Sequence, residues 1–94
     1  MGNPREKLKC PELPPGRDEV SINISILLYC KGDLDGIYLN WEAGRGGHDV
    51  LYVPNVDRWR REKPTWARDK RDEIVARILD LSERRGWKFV PREY

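Results

Sequence analysis

The chemistry written most densely into this chain is that of arginine and tryptophan. Between positions 58 and 71 stand Arg58, Arg60, Arg61, Lys63, Arg68, Lys70 and Arg71, with Trp59 and Trp66 among them. Guanidinium forks grip carboxylates and phosphates through paired hydrogen bonds, and indole rings supply large contact area at small ordering cost, so the mixture suits recognition rather than bond-making. Pro64 divides the stretch, because the residue before a proline is held out of helical conformation. Trp66 to Arg71 then opens a helix, with Trp66 expected to turn into the core. Arg58, Trp59, Arg60 and Arg61 are left in a loop or short turn and are the expected binding residues.

Two kinds of partner suit such a stretch. Another protein fits best, since Trp and Arg beside mixed charge compose an anchored interface that needs no net positive charge. Nucleic acid is the alternative, with the 58–71 segment joined by Lys88 and Arg92 on phosphates and an exposed indole stacked on a base. Charge weighs against it. The net charge is only +2, Asp57, Glu62, Asp69, Asp72 and Glu73 border or interrupt the cluster, and the expected strands carry Lys31 at one edge as their basic residue.

Catalytic chemistry finds little material. His48 is the single histidine, in a glycine-rich turn beside Asp49, and Glu42 could approach them across a hairpin, but no nucleophile or ligand spacing completes the set. Asp33-Leu34-Asp35-Gly36 lacks the further acids of a calcium loop and reads as a tight turn. Gly44, Gly46 and Gly47 precede a strand, whereas a phosphate cradle opens a helix. No catalytic residue, metal ligand or cofactor is therefore expected. Cys10 and Cys30 are too few for a disulfide framework, and read most simply as a small buried apolar residue (Cys30) and an exposed one in an arm (Cys10), with a bridge between them as the alternative.

No apolar run is long enough to cross a bilayer, so no membrane partner is expected. The N-terminal MGNPREKLKC has no apolar signal core, and Glu6 stands where a myristoylation signal needs Ser or Thr. A cytoplasmic setting is the expectation.

The elements that must position these residues follow from periodicity. Pro4, Pro11, Pro14, Pro15 and Gly16 make residues 1–18 a flexible Pro-rich arm, and residues 19–94 then form a single α+β domain. Strict alternation predicts one long strand over 20–30, with a second over 37–42 and a third over 49–53 that ends at Pro54. Asn55 is placed to cap a short helical turn. From Pro64 and Thr65 a long helix runs to Gly86, its stripe made by Ala67, Ile74, Val75, Ile78, Leu79 and Leu81, with Glu73–Arg77 and Asp80–Arg84 as pairs on its surface. A last strand over 87–90 stops at Pro91. The expected fold is β-β-β-α-β: an antiparallel three- to four-stranded sheet packed on one long C-terminal helix. Its open face would carry Ser21, Asn23, Ser25, Tyr29, Tyr38, Asn40 and Glu42, a second surface for a partner.

Leu51-Tyr52-Val53-Pro54-Asn55-Val56-Asp57-Arg58-Trp59 is a strand running into an Arg-Trp pair, followed by the helix Arg71-Asp72-Glu73-Ile74-Val75-Ala76-Arg77-Ile78, Gly86 and a final strand. In this order of parts, over residues 36–90, the chain resembles small bacterial immunity proteins of polymorphic toxin systems. The resemblance implies a non-enzymatic role, binding and blocking a toxin.

Overall fold

Asn23 breaks the long alternating run. Its side-chain Oδ1 accepts hydrogen bonds from the backbone N–H groups of Ser25 (3.1 Å) and Ile26 (2.8 Å), while its own N–H donates to the Ile26 carbonyl (3.0 Å). An amide side chain that satisfies two turn donors makes a reversal cheap. The single strand expected over 20–30 is thus a hairpin, β1 (Asp18–Ile22) and β2 (Ile26–Lys31), with Ile24 at its tip 89% exposed. The turn also shifts the inward phase, so that Leu27 and Tyr29 face the core with Val20 and Ile22.

Two further strands follow as expected, β3 (Ile37–Glu42) and β4 (Asp49–Val53). The chain then crosses over through helix α1 (Val56–Glu62), a 3-10 turn (Thr65–Ala67) and helix α2 (Arg71–Arg84) before strand β5 (Phe89–Glu93). The fold, seen in a computed structural model that describes residues 9–94, is α+β with a five-stranded sheet in the order β1-β2-β3-β4-β5. Neighbours are antiparallel except β4 and β5, which run parallel because the helical crossover returns the chain to the same end of the sheet. The sheet therefore has more strands than the three or four expected, and the helical layer has more than one element. Among the described residues no helix is long and apolar enough to cross a membrane.

Backbone bookkeeping explains why the long helix expected from Thr65 starts later. The Ala67 carbonyl, which a continuous helix would offer to the N–H of Arg71, accepts instead from the Lys70 N–H (3.0 Å) and from the Trp59 indole (2.8 Å). Helix α2 starts afresh at Arg71 and ends, as the sequence indicates, at Gly86, whose φ of +84° only glycine adopts freely. Strand β5 continues through Pro91. Its position at the sheet edge lets the missing N–H face outward.

The core lies between the sheet and the helices. Val20, Leu27, Tyr29, Ile37, Leu39, Leu51 and Val53 meet Trp59, Ala67, Ile74 and Ile78, with Trp41, Trp66, Trp87 and Phe89 closing the margins. Each fully buried large aliphatic side chain contributes about 1.5–3 kcal/mol. Of the two surface pairs expected on α2, Asp80 does meet Arg84 at 3.0 Å, but Arg77 turns from Glu73 to the sheet, where it clasps Asp18 at 2.8 Å.

The arm differs most from expectation. Cys10 is bonded to Cys30, with their Cα atoms 5.6 Å apart, so neither is a free thiol. Leu28 and Cys30 point away from the helices, and both are buried beside this bridge, where Cys10 Sγ and the Leu28 side chain crowd Gly36. The chain then turns through an Arg17 N–H bond to the Pro14 carbonyl (3.0 Å), and the Arg17 carbonyl receives the Gly32 N–H (2.9 Å). From Cys10 onward the expected flexible arm is stapled to the sheet, and Asp18 belongs to β1. Residues 1–8 of that arm lie outside the described residues.

Candidate binding surface around helix α1

Helix α1 is built to show one face. Asn55 caps it, its Oδ1 accepting the Arg58 N–H at 2.9 Å, and Asp57 in the first turn with Arg60 and Arg61 in the last complement the helix dipole. Trp59 points inward. It is 0% exposed, and its Nε1–H donates to the Ala67 carbonyl, which fixes the ring beneath the following 3-10 turn. Trp59 is thus corrected from a contact residue to a core residue. Trp66, expected in the core, packs against it half-buried and donates its Nε1–H to the Asp35 carbonyl (3.1 Å) at its margin.

The three arginines of the expected site stay outside. Arg58 lies over the ring of Tyr94, 5.5 Å from its centre. That ring is held in place by its backbone: the Tyr94 N–H donates to Val53 (3.1 Å) and its carbonyl accepts from Asn55 (2.8 Å). Arg60 pairs with Asp69 across solvent at 3.2 Å, a contact of small energetic value. Arg61 is exposed and has no partner among the described residues. Beside them Val56 is 51% and Tyr94 43% exposed, an apolar component that the sequence reading missed. Val56 could have been found as the first helical residue after the Asn55 cap, at the solvent-exposed helix end.

Of the remaining basic residues, Lys63 and Arg71 hold the fold together, while Arg68 and Lys70 are exposed. Lys63 donates from Nζ to the Tyr38 carbonyl (2.8 Å), and its burial holds the ammonium pKa below the usual lysine range. Arg71 donates from Nε to the Pro54 carbonyl (2.7 Å) and pairs with Asp72 and Glu93, bracing the start of α2 against the chain before α1. Arg68 donates weakly to the Lys63 carbonyl (3.4 Å). What looks in the sequence like one basic patch is a structural brace with a small exposed face.

The other sites considered from sequence come apart. Asp49 accepts the Gly44 N–H (3.1 Å) within the turn, Glu42 accepts the Tyr52 hydroxyl (2.6 Å) on the open sheet face, and His48 is exposed. No cluster of three His, Cys, Asp or Glu side chains fit to hold a metal ion forms among the described residues. On the sheet, the register places Ser21, Tyr38, Asn40 and Glu42 on the open face as expected, with Val50 and Tyr52 beside them, but Asn23 sits in the turn and Tyr29 faces the helices.

Tyr29 instead belongs to a network at the base of a groove of about 500 Å³ between the sheet end and α2. Its hydroxyl donates to Asp18 Oδ2 (2.8 Å), and Arg77 forks onto the same carboxylate through Nε (2.8 Å) and Nη2 (2.9 Å). The Arg77 hydrogen bonds hold the Asp18 carboxyl below its ordinary pKa, and burial with the Asp18 bond pushes the Tyr29 phenol up. Three of the five guanidinium N–H groups are engaged within the protein, since Nη1 also reaches Asp80 (3.2 Å), so the network fastens α2 to β1.

Comparisons with protein-family models, curated proteins and solved structures return no match. What the surface can bind therefore follows from its own chemistry.

Proposed function

We propose that this chain is a small non-enzymatic domain that binds another protein through the outer face of α1, with Arg58, Arg60 and Arg61 as its charged contacts and Val56 and Tyr94 as its apolar ones. The observation that carries the proposal is the Arg58 guanidinium lying 5.5 Å from the centre of the Tyr94 ring, beside Arg61, which has no partner among the described residues. A guanidinium drawn over an aromatic ring whose backbone is hydrogen-bonded at both N–H and carbonyl is partly ordered before any partner arrives, so less freedom is lost on binding. Asp57, Glu62 and Asp69 share this surface. Their interleaved negative charge suits a protein with its own mixed charges better than a phosphate backbone.

A toxin-neutralising, immunity-like role is part of the proposal. Its support is the order of parts that suggested it: β4 running through Pro54 into Arg58-Trp59, then α2, Gly86 and β5. A cytoplasmic setting fits poorly with a disulfide, which reducing pools work to open, so the bridge supports an oxidising compartment for the encounter.

The test compares the native domain with the charge-reversed Arg58→Glu/Arg61→Glu variant as immobilised bait. The expected result is a protein captured by the native domain and lost by the variant, with affinity at least tenfold lower on titration, about 1.4 kcal/mol. Capture of the same proteins by both baits contradicts the proposal. Binding to random oligonucleotides that weakens steeply with salt would replace it with the nucleic-acid alternative.

A further inference from the structure

The two cysteines of the bridge sit in different surroundings, and of the two Cys10 lines a surface groove. Cys30, on the sheet face turned away from the helices, is 2% exposed, whereas Cys10 is exposed in the arm. A thiolate must approach a disulfide sulfur from the side opposite its partner sulfur, so access decides which one is attacked. Charge does not decide it: Lys31 lines the groove beside Cys10, but Glu12 and Asp33 line it too.

We propose that Cys10–Cys30 is a thiol–disulfide exchange site, entered from Cys10, at which a low-molecular-weight thiol opens the bridge and unlatches the arm. The incoming thiolate forms a bond to Cys10 Sγ, the Cys10–Cys30 bond breaks, and its electron pair leaves on the Cys30 sulfur, which takes a proton. A second thiol equivalent can then release Cys10 and carry away the oxidised thiol pair. Cys30 stays beside Leu28, poised to attack the Cys10 adduct and close the bridge again. Opening has a structural consequence. Cys10, Pro11, Glu12, Leu13 and Pro14 form one wall of a groove whose other wall is Lys31, Asp33 and Leu34, and the bridge is the covalent tie across it.

The probe is reduced glutathione applied to native protein, followed by an acid quench, denaturation with alkylation, and peptide mass mapping. The expected product carries glutathione on Cys10 and the alkyl group on Cys30. Glutathione on Cys30, an even distribution, no adduct, or two free thiols in protein never exposed to reductant would each overturn the proposal. Dithiothreitol should give alkylation at both cysteines with no adduct. In the same reduced protein, and in Cys10→Ser, the amide signals of Asp33, Leu34 and Gly36 should shift while those of Ile74 and Ile78 stay in place. An unchanged loop spectrum on reduction would show that the bridge latches nothing.

Discussion

Trp59 shows how far residue type alone can mislead. An Arg-Trp-Arg-Arg run reads as a contact patch because composition carries no direction, yet the indole is fully buried and hydrogen-bonded while its arginine neighbours are exposed. Trp59→Ala should lower unfolding free energy by about 3–5 kcal/mol through the cavity it leaves. Trp59→Phe keeps most of the volume and loses the indole donor, so it should cost only about 1–2 kcal/mol in the same denaturant titration. An Ala variant as stable as the parent would show that the ring is not a core element. Asp18 misled in another way. It looks like part of an arm, and nothing local announces Arg77, its partner far along the chain. The Arg77 hydrogen bonds hold its folded pKa below the ordinary aspartate value, so its contribution is complete above about pH 4 and is lost as pH falls through the lower folded value. Asp18→Asn should remove that part of the acid sensitivity, measured as stability against pH. An unchanged acid limb would mean that the fork contributes nothing.

At the level of elements, the signals that were legible were the local ones. Asn55 as a cap, Gly86 as a stop, the β3 and β4 strands and the apolar stripe of Ile74 and Ile78 depend on neighbours within a turn or two, and the structure has them where the sequence places them. What failed depended on partners elsewhere. Alternation persists through the Asn23 turn because Ile24 and Ile26 keep the pattern while the chain reverses, and the break before α2 is set by an indole from another helix. Asn23→Ala leaves the Ser25 and Ile26 amides without their side-chain acceptor and should cost about 1–2 kcal/mol, with amide exchange quickest to rise at the β1–β2 tip. Unaltered exchange there would show that the tip holds its shape without the side chain.

For the molecule as a whole, the bridge changes what kind of protein this is. A domain of 94 residues has a modest core, and tying Cys10 to Cys30 across a sequence separation of 20 restricts its unfolded chain, which corresponds to about 3 kcal/mol in the loop-entropy picture. Reduced protein should therefore unfold at clearly lower denaturant than oxidised protein, and Cys30→Ala should behave like the reduced form. Equal midpoints would contradict a stabilising bridge. Function was less legible than fold, since a surface is defined by what is left over once the core has taken its residues. Trp59, Lys63 and Arg71 are taken by the fold, and Arg58, Arg60, Arg61, Val56 and Tyr94 remain. The central claim is that this remainder binds a protein. It is tested most directly by titrating a protein captured on the native domain against native, Arg58→Glu/Arg61→Glu and Trp59→Phe forms. The account predicts affinity at least tenfold weaker for the charge reversal and unchanged for Trp59→Phe. Undiminished binding by the charge-reversed form would contradict it.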